Sequence, residues 1–120
     1  MKTMSVRIAA EKEIKSHYKS KWDDFTEDRK QTLINRLLST TCVRRIKGAA
    51  ILKTPEQRLF FAVIEKAILE SWHDKDYLRG GARMYFRKGN HEFHAGACGL
   101  DVEFVDRTLS EFLEWANTDG

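Results

Sequence analysis

Proline occurs once in this chain of 120 residues, at Pro55, and no proline-rich or low-complexity stretch separates one part from another. Extended linkers and rigid spacers are thereby excluded. Cysteine is nearly as scarce. Cys42 and Cys98 lie 56 positions apart, which makes a stabilising disulfide framework improbable and fits a reducing cytosol. The longest apolar run, Leu59 to Ile64, is far short of the roughly 20 residues that span a bilayer, so no membrane partner is expected. Met1-Lys2-Thr3-Met4-Ser5 runs straight into a charged stretch without the apolar segment of a secretion signal. The expected location is cytoplasmic. Catalytic signatures are missing too: no glycine-rich phosphate loop, no Gly-x-Ser-x-Gly elbow, and no carboxylate pair that stands out from ordinary surface acids. The sequence therefore predicts a non-enzymatic protein without a cofactor.

What remains is a helix former's composition, 42% hydrophobic and 32% charged. At this length one hydrophobic core buries roughly two-thirds of the unfolded surface, so the expectation is an all-α, single compact domain spanning residues 1–120, of five to six helices. The net charge of +3 hides an asymmetry. Residues 1–90 hold 20 Lys/Arg against 11 Asp/Glu, whereas residues 91–120 hold one against seven. A basic body suggests a polyanionic partner, and the acidic final part suggests a different task.

Val6, Ala10, Ile14, Tyr18 and Trp22 recur every four residues and predict an amphipathic helix from Ser5 to Trp22. Thr26 is placed to cap a second helix carrying Leu33, Ile34, Leu37 and Leu38, expected to fade near Ser39-Thr40-Thr41. From Cys42 to Lys53, a stretch that includes the basic group Arg44, Arg45 and Lys47, the period is lost, and a loop, or a short hairpin bent at Gly48, is expected. Thr54-Pro55-Glu56-Gln57 has the form of a capping box with proline at the first helical position. The helix it opens, to about His73, is apolar over more than half its circumference and should be central in the core. Asp74 or Asp76 should start the next helix, interrupted at Gly80-Gly81 and ended by Gly89. Asn90 and Asp101 read as caps of two last helices, near 91–99 and 102–117.

Between Asn90 and Leu113, Ala95, Gly99 and Val105 follow the spacing of a helix-turn-helix corner, with Leu100 as the apolar residue after the turn. The second helix of that corner would carry Asp101, Glu103, Asp106 and Glu111 with Arg107 as its one cation, which repels a phosphate backbone. Those four acids suit a protein-facing surface instead. Nucleic-acid contact is better assigned to Lys75, Arg79, Arg83 and Arg87, four residues apart, with Lys88 beside them and Arg44, Arg45 and Lys47 as a second group. The interleaved Tyr77 and Tyr85 would stack on unpaired bases. His91, His94 and Cys98 share one helical face, with Cys42 or His73 to complete a metal set, but the spacing lacks a paired cysteine knuckle and ordinary packing is preferred. No metal is expected.

The segments Thr54-Pro55-Glu56-Gln57-Arg58-Leu59, Ala62-Val63-Ile64, Ala67-Ile68, Ala82-Arg83-Met84-Tyr85-Phe86 and Gly99-Leu100-Asp101 with Val105 together resemble a group of small phage and prophage proteins of poorly defined function. The resemblance covers residues 54–107 and departs at Asp106, where that group usually has a basic residue; Arg107 follows one place later. It implies a mobile-element accessory or regulatory protein acting on nucleic acid, DNA or RNA. The alternative is an inhibitor or adaptor docked on a host nucleic-acid-associated protein. It implies no catalytic residue.

Overall fold

The computed structural model describes residues 6–113, and these form six α-helices and a short 3-10 turn without a strand. In order they are α1 (Val6–His17), the 3-10 turn Trp22–Asp24, α2 (Glu27–Lys47), α3 (Pro55–Glu70), α4 (Asp76–Arg87), α5 (His91–Ala97) and α6 (Val102–Phe112). The all-helical reading holds. The expected start at Ser5 and the extension of the last helix to 117 lie outside the described residues. Among the described residues no helix is long and apolar enough to cross a membrane.

Three helix starts are set by local side chains, as the sequence indicates. Thr26 accepts from the Arg29 amide at the head of α2. Thr54 accepts from the Gln57 amide while Gln57 Oε1 takes the Thr54 and Lys53 amides, a complete capping box. Asp101 accepts from the Glu103 amide to open α6. Asn90 does not cap α5; its backbone is already helical. That position is governed from the other side, because Gly89 adopts φ +76° and ends α4 with the Asn90 amide bonded back to the Tyr85 carbonyl.

The end of α1 and the tail of α2 also differ from expectation. α1 stops at His17, and the chain tightens so that Trp22 buries itself with Phe25 edge-on to it and Tyr18 edge-on to Phe25 in turn, under the Lys30 ammonium. The larger correction concerns residues 42–47, which continue α2 instead of forming a loop. Leu38, Cys42, Val43 and Ile46 are buried and sustain the three- and four-residue spacing beyond Thr41. The hydroxyls of Ser39 and Thr40 bond back to the Arg36 carbonyl, so they are satisfied inside the helix rather than competing with it. Arg44, Arg45 and Lys47 then occupy the last turn, where cations meet the negative end of the helix dipole.

α3 packs against α2, α4 and α5, and α2 against α1, α3 and α6. The shared core is built from Leu38, Cys42 and Ile46 of α2, Phe61, Ile64 and Ile68 of α3, and Val105 and Leu109 of α6. α3 is not apolar-buried all round, since Leu59, Val63 and Leu69 face outward. α4 runs unbroken through Gly80 and Gly81. A Cβ at either glycine would meet nothing within 4 Å, so the expected close helix approach is absent. Each still costs about 1 kcal/mol relative to alanine.

The α5–α6 corner has the expected geometry. Ala95 and Val105 are fully buried, Gly99 turns through φ +70°, and the Leu100 and Gly99 amides bond to the carbonyls of Ala95 and Gly96. The connection from α2 to α3 closes over it: the Ile51 amide donates to the Cys98 carbonyl at 2.7 Å, and a Cβ on Gly99 would stand 2.6 Å from Ile51 Cδ1. Gly99→Ala is therefore expected to lose about 2 kcal/mol, from the left-handed backbone and the displaced Ile51. A chemical denaturation curve unchanged from wild type would refute that account.

Candidate nucleic-acid interface

The cation row of α4 is divided by the structure into anchored and outward-facing members. Arg79 donates to the His73 carbonyl at 2.9 Å and pairs with Asp76. Arg83 donates through Nε to the Ser71 carbonyl at 3.0 Å. Both guanidinium groups thus clasp the chain where α3 ends, at the negative end of its dipole. Arg87 follows one turn later on the same side, and Lys75 and Lys88 are exposed at the two ends of the helix. Arg83 is held below the usual arginine range, first by partial burial and then by the charges of Arg79 and Arg87. Three guanidinium groups therefore sit close enough to repel one another.

The second basic group is not continuous with the first. Arg45 turns to α6, where it pairs with Glu111 and lies 5.3 Å from the centre of the Phe112 ring. Arg44 and Lys47 stay exposed at the end of α2. α2 and α4 share α3 as their neighbour rather than forming one groove between them. A shallow groove of about 270 Å³ does run beside the α3–α4 connection, lined by Thr32, Asn35, Arg36, Ser39, Leu69, Trp72, His73 and Asp74.

Of the two tyrosines expected to stack on bases, Tyr85 faces inward. Its hydroxyl meets His94 Nδ1 at 2.7 Å, its ring stacks on the His94 ring, and burial pushes its pKa up to about 12. Tyr77 is 72% exposed.

Compared with known family models, curated protein sequences and solved structures, the chain matches none.

The acidic quartet is largely engaged within the chain. Asp101 caps α6, Asp106 meets His91 Nε2 at 2.7 Å, and Glu111 pairs with Arg45; Glu103 is exposed. The histidine–cysteine trio does not converge. His91 turns to Asp106, His94 to Tyr85, and the Cys98 thiol donates to the Gln57 carbonyl at 3.2 Å. Among the described residues no group of three or more His, Cys, Asp or Glu side chains is arranged to hold a metal ion. Burial raises both thiols, Cys42 to about 12, which suppresses the reactive thiolate at neutral pH.

Periodicity did not reveal the exposed apolar residues. Phe93 is 70% and Leu59 63% exposed, with Phe93 resting edge-on against Phe60. In sequence both look like ordinary core positions, because hydrophobic spacing does not say which of two apolar stripes a neighbour covers.

Proposed function

We propose that this chain is a small nucleic-acid-associated accessory protein that binds phosphates along α4, in keeping with its resemblance to phage and prophage proteins. The observation that carries the reading is the crowding of Arg79, Arg83 and Arg87 along one side of a helix that ends in exposed Lys75 and Lys88. Like charges held together are relieved by a polyanion, and two of the three guanidinium groups are already positioned by backbone carbonyls, which lowers the ordering cost of binding. Contacts of this kind position a backbone without reading bases.

A fluorescence-anisotropy titration against DNA over a salt series tests this. Binding should weaken linearly on logarithmic axes, and changing Lys75, Arg87 and Lys88 together to glutamine should lower the salt slope by roughly 3, about 0.9 for each phosphate contact on duplex, with at least a tenfold loss of affinity. Absence of binding at low salt removes the proposal.

The protein-docking alternative has support of a different kind from the one the sequence suggested. Asp101, Asp106 and Glu111 already serve the fold, so the exposed Phe93 and Leu59 are its better basis.

A further inference from the structure

The outward side of α3 is apolar at its middle and oppositely charged at its two ends. Glu56, Leu59, Val63 and Lys66 follow one another at three- and four-residue spacing and so share one side of the helix. All four are exposed, Leu59 to 63% and Val63 to 38%. Phe93 of α5, 70% exposed, flanks them from its place against Phe60. Among the described residues neither Glu56 nor Lys66 belongs to an ion pair. The neighbouring charges are directed elsewhere. Arg58 donates to the Leu52 and Lys53 carbonyls, and the Glu92 carboxylate lies over Gly89 at the end of α4. Glu65 stands roughly 120° round the helix from Leu59, and Glu70 follows one turn after Lys66.

We infer that this face of α3 binds a second copy of the chain, α3 against α3 and antiparallel, across a two-fold axis at the level of Phe61. Charge complementarity selects that occupant. Along the strip the order is acid, leucine, valine, base, and an antiparallel copy presents base, valine, leucine, acid. Glu56 of each copy then stands opposite Lys66 of the other, and Leu59 opposite Val63. Glu70 falls towards the exposed Lys53 that precedes the other helix. A parallel pairing would instead oppose Glu56 to Glu56 and Lys66 to Lys66. In the antiparallel two-fold, a group flanking the strip stays on the same side in both copies. Phe60, against which Phe93 rests, is one position from the axis, so the two Phe93 rings come together there and shield the leucine and valine from water. A polyanion has no such match, because the charges on this face cancel. The inference is independent of phosphate binding by α4.

The test is sedimentation equilibrium of the full chain over a concentration series from nanomolar to submillimolar. The mass should rise from 14.0 kDa towards twice that value. Glu56→Lys or Lys66→Glu alone sets like charges against each other and should weaken association roughly tenfold or more, whereas the two together should restore it. Leu59→Asp should hold the mass at 14.0 kDa. Because Leu59 is exposed, thermal unfolding of that variant at low concentration should match wild type, so a loss of association there is not a loss of fold. A wild-type mass of 14.0 kDa at every concentration overturns the inference and leaves the face to a different protein. Single-charge variants that associate like wild type, or a double variant that does not recover, overturn the antiparallel register of α3 on α3. Each of these results leaves phosphate binding by α4 standing.

Discussion

Ile46→Ala should destabilise the protein by about 2–5 kcal/mol, a large part of the roughly 5–15 kcal/mol that holds a domain of this kind together. Ile46 lies in the last turn of α2, in the stretch whose sequence reads as a loop, and it has no solvent exposure. Removing its branched side chain would open a cavity among core residues contributed by α2, α3 and α6. A loop residue would behave otherwise, with a change within about 0.5 kcal/mol. Urea denaturation of the two proteins separates these outcomes. Arg44→Ala, one turn of the same segment but exposed, should fall within that smaller range and serves as the control.

The second large effect is alkaline. Cys42, one turn before Ile46, has no exposure, and burial lifts its thiol from 9.0 to about 12, with Arg45 opposing and Glu111 adding to the shift. Its folded pKa lies above the unfolded one, so the contribution is fully present below pH 9 and is lost as pH rises towards 12, because the unfolded chain releases the proton first. At about 1.4 kcal/mol for each pH unit, this removes on the order of 4 kcal/mol across the window. Tyr85, also raised by burial, adds to the loss above pH 10. Stability measured from pH 8 to 11 should fall for wild type and fall less steeply for Cys42→Ala, which starts lower at neutral pH through lost packing. Parallel profiles would show that the thiol does not govern the alkaline limb. Under native conditions at neutral pH, both cysteines should resist thiol reagents for the same reason.

Legibility along the chain followed the range of the interaction responsible. The capping box at Thr54, the cap at Thr26 and the turn at Gly99 could be read because each is decided within about four residues by a hydroxyl, a carboxylate or a missing Cβ. The tail of α2 was misread because Ser39, Thr40 and Thr41 resemble a helix end. Their competition with the backbone is overridden by the burial of Cys42, Val43 and Ile46, which depends on helices distant in sequence. Within α4 the four-residue spacing of cations was visible, but their division was not. Arg83 reaches the Ser71 carbonyl across 12 positions, and Arg79 the His73 carbonyl across six.

By itself, the sequence determined the helical class, the starts of α2, α3 and α6, and the glycine turn between α5 and α6, since propensity, capping and backbone freedom are local properties. The tertiary structure decided which charges are available. His91 meets Asp106 across 15 positions and Arg45 meets Glu111 across 66, pairings that no spacing rule anticipates. It also decided that Tyr85 is enclosed while Tyr77 faces solvent, because two tyrosines on one helix differ only in what the rest of the chain packs against them.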